Sequence, residues 1–172
     1  NVRLMRDTVR RFVKNDLEPI SQQVEEQGKI PEGIVQKMRD LGLFGLSIPE
    51  EYDGMGLNTL GECVLNEELG RVNVAFRSRF GTNNGIGSQG ILIDGTPEQK
   101  TKYLPRIARG EWTAAFALTE PNAGSDAANI QTKAEKKGDV YFLNGLKHFI
   151  TNGDIADVVT VMAVTDKTKG PR

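Results

Sequence analysis

The hydrophobic period of this chain changes once, near Trp112, and that change constrains its fold more than any other feature. Before it, apolar residues recur at helical spacing, as in Leu4, Met5, Val9, Phe12 and Val13 with Arg, Lys and Asp between them. After it come short strand-like runs over residues 112–118, 130–136, 140–144, 147–150 and 158–164, separated by turn residues. The pattern predicts an α+β chain: an all-helical domain over 1–111, then the first strands of an antiparallel β-barrel-like domain over 112–172.

The boundaries within each half follow from local chemistry. Pro19 breaks or restarts the first helix. Pro31 suits the first turn of a helix carrying Ile34, Val35, Met38 and Leu41 and ending at Gly42. Thr59 can cap a third helix through Leu60, Val64, Leu65 and Leu69, and a fourth, less regular helix covers about residues 74–93. Thr96-Pro97-Glu98-Gln99 is a capping box whose helix runs to Arg109 and stops at Gly110. Lys137-Gly138-Asp139 and Asn144-Gly145 read as hairpin turns. A sheet of four or five strands with no following partner leads us to expect that the protein continues beyond residue 172.

Composition removes several function classes. The net charge of −1 over 172 residues gives no electrostatic reason to expect nucleic acid or an anionic membrane as partner. No apolar run approaches the roughly 20 residues needed to span a bilayer. Cys63 and His148 stand alone, so neither a zinc cluster nor a Ser-His-Asp arrangement is expected. Cys63 falls in an apolar-periodic helix and is expected to be a buried structural thiol. Gly85, Gly87 and Gly90 spell G-x-G-x-x-G, but no strand precedes them and no βαβ alternation follows, so a dinucleotide fold is rejected.

Two stretches carry chemistry. Residues 119–126 put a rigid Pro121, small residues and the hydroxyls of Thr119 and Ser125 at a strand end. Such a loop can bring N–H groups to a polar ligand, or it can be a turn capped by Ser125 and Asp126. Residues 147–153 pair Phe149 with Thr151 two positions on. In a strand both would face one side, one stacking on a planar ligand and the other hydrogen-bonding its edge. An edge strand ending in an Asn-Gly turn is the plainer alternative.

Taken together, Ala117 to Asp126 closely resembles the first motif of acyl-CoA dehydrogenases, and Lys147 to Gly153 resembles that family's second flavin-contacting strand. Leu43-Phe44-Gly45-Leu46-Ser47-Ile48-Pro49-Glu50-Glu51-Tyr52 looks like its helical-domain loop. Gly95-Thr96-Pro97-Glu98-Gln99-Lys100 with Tyr103-Leu104-Pro105 resembles the helix preceding its β-domain. The resemblance implies FAD as cofactor and α,β-dehydrogenation of an acyl-CoA, with a β-hydride passed to flavin N5. An acyl-CoA oxidase-like flavoenzyme of the same fold is the alternative, and an inactive structural fragment is another.

By the same resemblance, Phe116, Ala117, Leu118 and Thr119 run beside the flavin pyrimidine, and Gly124 and Ser125 approach the pyrophosphate, with Ser125 also reaching the substrate's pantetheine. Phe149 packs on the isoalloxazine, and Ile150 and Thr151 lie along it, Thr151 donating toward N5. Many relatives carry Trp where this chain has Phe149. Arg77 and Ser78 line the far end of the acyl pocket, and glutaryl-CoA dehydrogenases carry a similar pair against a distal carboxylate. The catalytic base is a glutamate of a C-terminal helical domain that no segment here matches; neither Glu120, Glu50 nor Glu51 is assigned that role. The implied partners are an electron-transfer flavoprotein and further copies in a homotetramer, in a bacterial cytoplasm or mitochondrial matrix.

Overall fold

A computed structural model describes residues 2–166 and 168. The first helix, α1 (Val2–Phe12), buries Val9 and Phe12. Pro19 has no N–H to donate, and the chain meets it through a π turn (Val13–Leu17) and a 3₁₀ turn (Glu18–Ile20) before helix α2 (Ser21–Gln27). Helix α3 (Glu32–Asp40) follows, with Pro31 outside it as N-cap, one position earlier than expected, and Gly42 left-handed beyond its end. Helix α4 (Thr59–Leu69) is capped by Asn58, not Thr59: the Asn58 side chain accepts from the Gly61 N–H at 2.9 Å.

The segment expected as one helix over 74–93 is two, α5 (Val74–Asn84) and α6 (Gln89–Asp94). The break lies in the glycine-rich pattern rejected as a nucleotide loop. A Cβ at Gly87 would stand 2.7 Å from the Ala114 Cβ and from the Thr82 carbonyl oxygen, so only glycine allows this approach. Helix α7 (Pro97–Ala108) opens with the expected capping box, and Gly110 follows at φ +68°.

The main core sits among α1 to α5. Leu17, Met38, Leu43, Phe44, Leu65, Leu69 and Phe76 have no exposure. Phe44 and Phe80 meet edge to face with centroids 6.2 Å apart. A second cluster of Ile48, Leu104, Ile107 and Ala108 reaches Ala114 and joins α7 to the β region. Cys63 is exposed, against expectation: α4 turns Gly61, Leu65, Glu68 and Leu69 inward, and Cys63 falls on its outer stripe beside exposed Leu60. Glu68 is buried but paired, accepting from Arg10 and lying 3.1 Å from Arg71 Nε.

The β region forms two small sheets. Strand β1 (Ala114–Ala117) pairs in parallel with β4 (Val158–Val161), and β2 (Lys133–Lys137) pairs antiparallel with β3 (Val140–Asn144) through a turn at Gly138. The α+β class is as expected, while β1 is shorter than the run over 112–118 suggested. The run over 147–150 is not a strand at all: Phe149 at φ +55° and Asn152 at φ +60° cannot continue an extended ladder. Asn144-Gly145 closes no hairpin; Gly145 presses on Thr132, whose Cα lies 2.6 Å from where its Cβ would be. The 112–172 assignment beyond residue 168 lies outside the described residues.

Candidate functional site

The site is built where β1 leaves the helical core. Phe116 is half-buried and faces Thr160 across the ladder; Ala117 is buried and its carbonyl accepts from the Met162 N–H at 3.0 Å. Beyond the strand, the Leu118 carbonyl accepts from Lys147 Nζ at 2.9 Å and the Thr119 carbonyl from the His148 N–H at 2.8 Å. The two motifs therefore run side by side, and Thr119 lies next to the segment that carries Phe149. A reciprocal turn follows, with Glu120 N–H to Ala123 O at 2.9 Å and Ala123 N–H to Glu120 O at 3.1 Å. It delivers Gly124 and Ser125 to the surface, and a Cβ at Gly124 would meet nothing within 4 Å.

The 147–153 segment is anchored at both ends. Asn152 donates to Thr82 Oγ1 at 2.9 Å and to the Ser78 carbonyl at 3.2 Å, pinning the segment to α5. Between the anchors, Phe149 is 92% exposed, Ile150 is half-buried and Thr151 is exposed. Because the backbone turns left-handed at Phe149, the expected strand-like alternation of Phe149 and Thr151 is replaced by a turn that presents the ring outward. Among the described residues no hydrogen bond engages the hydroxyls of Thr119, Ser125 or Thr151. An open aromatic face, three unpartnered hydroxyls and a bare glycine fit a planar ligand with hydrogen-bonding edges and a phosphate arm.

Arg77 and Ser78 open onto different spaces. Ser78 lines a cleft of about 780 Å³ between the helical and β regions, shared with Asn73, Arg79 and Asn152. Arg77 lines a small cavity of about 40 Å³ with Leu46, Glu62, Asn66 and Gly85. Burial raises the Glu62 carboxyl above its ordinary range, while the Arg77 charge opposes it, and Asn66 Oδ1 is buried there without a partner. Half-buried Arg79 donates to Thr113 Oγ1 at 3.0 Å and stacks over Phe44.

Sequence reasoning missed the polar side chains that hold this site. Asn83 is fully buried; it donates to the Ile107 and Trp112 carbonyls and accepts from the Ala114 N–H, fixing the start of β1 against α5 and α7. Asp157 accepts from the Thr113 N–H at 2.8 Å at the head of β4. Glu120 and Lys147 form an ion pair at 2.7 Å with their side chains only 5% and 12% exposed. Adjacent asparagines at positions 83–84, weak helix formers inside a helix, were the available signal for the first of these. Among the described residues no cluster of His, Cys, Asp or Glu could hold a metal ion, and no helix is long and apolar enough to cross a membrane.

Known proteins resemble this chain over most of its length. A 3-(aryl)acrylate reductase of Clostridium sporogenes is 41% identical over 169 residues, 98% of this chain and 45% of the relative. The structure of a glutaryl-coenzyme A dehydrogenase in complex with glutaryl-CoA superposes with TM-score 0.92 at 36% identity, covering 98% of this chain and 44% of that one. An acyl-CoA dehydrogenase from Bacillus anthracis complexed with FAD gives TM-score 0.87 at 38% identity, covering 96% of this chain and 29% of that one. This chain thus spans less than half the length of these proteins. Residues 1–111 match the acyl-CoA dehydrogenase N-terminal domain and residues 115–172 its middle domain. The chain belongs to the acyl-CoA dehydrogenase family.

Proposed function

We propose that this chain supplies the flavin-facing half of an FAD-dependent acyl-CoA dehydrogenase. The observation that carries the reading is the alignment of Thr119 beside the Phe149 segment, with the hydroxyls of Thr119, Ser125 and Thr151 left unpartnered and the Phe149 ring bare. Thr119, with the backbone of Phe116, Ala117 and Leu118, meets the pyrimidine edge. Gly124 and Ser125 take the pyrophosphate. Phe149, Ile150 and Thr151 cover the ring. Bound FAD supplies the hydride acceptor. Fixed donors near its pyrimidine edge favour the reduced form, because they face developing negative charge.

Glu120 is excluded as the α-proton base. Its carboxylate is buried and already accepts from Lys147 and from two backbone N–H groups, so it faces no open space. The base comes from residues outside 1–172, and residues 1–172 alone are inactive. Reoxidation is by an electron-transfer flavoprotein, and the complete protein is a homo-oligomer. Ser78 lies toward the acyl end of the pocket, and Arg77 reads a polar or carboxylate terminus of the acyl chain.

The test is to load the full-length protein with FAD, desalt it, and follow flavin bleaching with butyryl-CoA and glutaryl-CoA under argon and in air. Bleaching that persists in air until an electron-transfer flavoprotein is added supports the dehydrogenase. Rapid oxygen consumption would instead support the oxidase, and retention of no flavin would overturn the reading. The name of the Clostridium sporogenes relative makes the reductive direction a second reading, tested by adding an enoyl substrate to the dithionite-reduced protein.

A further inference from the structure

Glu120 follows Thr119, and Lys147 precedes Phe149 by two residues, so the buried pair they form sits at the root of both candidate flavin contacts. One carboxylate oxygen accepts from Lys147 Nζ at 2.7 Å and from the Thr132 N–H at 2.9 Å, and the other from the Gln131 N–H at 2.5 Å. Lys147 Nζ donates again to the Leu118 carbonyl at 2.9 Å. Four segments are tied at this one point: the end of β1, the turn after it, the approach to β2 and the 147–149 segment.

We propose that Glu120 is the positioning residue of the flavin site, its carboxylate locking Thr119 and Phe149 into one register through Lys147. The inference rests on the flavin reading above. Its geometry has a reason. Phe149 occupies a left-handed conformation that a phenylalanine holds only when its neighbours impose it. On the side of the segment that leads into Phe149, it is tied by the His148 N–H to Thr119 bond and by Lys147, which donates to Glu120 and to the Leu118 carbonyl, while Asn152 anchors the far side to α5. Among the described residues of the β region, no large apolar side chain is fully buried. The carboxylate is also kept charged across the working range: burial would raise it, but the Lys147 ammonium and the surrounding donors outweigh burial and hold it at about 2. A group that never titrates near neutrality makes a rigid anchor and a poor base.

The experiment uses the full-length FAD-loaded protein and the variants Glu120→Gln, Lys147→Met and Lys147→Arg, each assayed well below its Tm. Glu120→Gln and Lys147→Met are expected to move the visible band of the bound flavin toward that of free FAD. They should lower kcat on the order of 100-fold, the scale of an ångström's misplacement, with KM for the acyl-CoA changed less than about 3-fold. Lys147→Arg keeps the charge and the donors and should restore both the band and most of kcat. In Lys147→Met the carboxylate loses its cation, so the flavin spectrum should become pH-dependent on the acid side where that of the wild type is flat. A lowered Tm with spectrum and kcat unchanged would make the pair merely structural and overturn the proposal. If Glu120→Gln fails to fold, the contrast between Lys147→Met and Lys147→Arg decides. A wild-type protein that takes up no FAD defeats the flavin reading and this inference together; wild-type binding with unaltered variants defeats this inference alone.

Discussion

The two halves of the molecule are held by different forces. In the helical half, large side chains including Phe44, Phe76 and Leu65 are fully buried, and that half closes a core of its own. In the β half every buried apolar residue among those described is an alanine: Ala114, Ala115, Ala117 and Ala123. The larger side chains there, Val140, Tyr141, Phe142 and Leu143 along β3, are more than half exposed. Hydrophobic burial scales with apolar area, so alanine contacts anchor little. The β half hangs instead on directed polar ties: Asn83 to Ala114, Asp157 to Thr113, Asn152 to α5, and Glu120 to Lys147. A region held this way has its geometry fixed by a few atoms, which suits a surface that must meet a ligand in one orientation.

The contrast can be broken most severely from the helical side. Phe44→Ala removes a ring packed against Phe80, beneath the Arg79 guanidinium and against Gly110, and should cost about 3–5 kcal/mol in urea denaturation. A loss below about 1 kcal/mol would mean that this core is not what carries the fold.

On the β side the largest expected effect is acid dependence. The Glu120 carboxyl is held at about 2 against an ordinary 4.5, so its folded value is depressed. Its stabilisation is fully present above about pH 4.5 and lost as the pH falls through about 2. For a paired carboxylate this amounts to about 2–3 kcal/mol. Lys147→Met should move that loss to higher pH; an unchanged acid midpoint would show that the pair is not the titrating element. Next, Asn83→Ala removes three hydrogen bonds joining α5 to Ile107, Trp112 and Ala114 and should cost about 1–3 kcal/mol, with exchange of the β1 amides accelerated more than that of α4. The smallest effect is at the proposed ligand face. Phe149→Ser should change stability by less than about 0.5 kcal/mol, because the ring is 92% exposed, yet weaken FAD retention in the full-length protein. A large loss of stability without FAD would place the ring in a structural role.

Where local chemistry decides, the sequence was legible. The Thr96–Gln99 capping box, the left-handed glycines at 42 and 110 and the Gly138 hairpin all stand where their residues put them. Where a distant contact decides, it was not. The α5–α6 break exists because β1 lies against Gly87, and nothing near position 87 announces Ala114. Residues 147–150 have strand-like composition, but the pull of Glu120 on Lys147 and of α5 on Asn152 turns them into a loop. Cys63 was misread because apolar Leu60, at 72% exposure, also lies on the outer face of α4, so the buried stripe could not be told from spacing alone. The two site motifs were recognisable as strings of residues. Their side-by-side placement depends on a backbone bond between residues 119 and 148.

Amide hydrogen exchange on the full-length protein, with and without FAD, tests the division of labour most directly. FAD should slow exchange at residues 116–119, 124–125 and 149–151, while the amides of α1 and α4, protected already by their own core, change little. Equal protection of both halves, or protection confined to the helices with residues 149–151 unchanged, would contradict a flavin surface built on the β half.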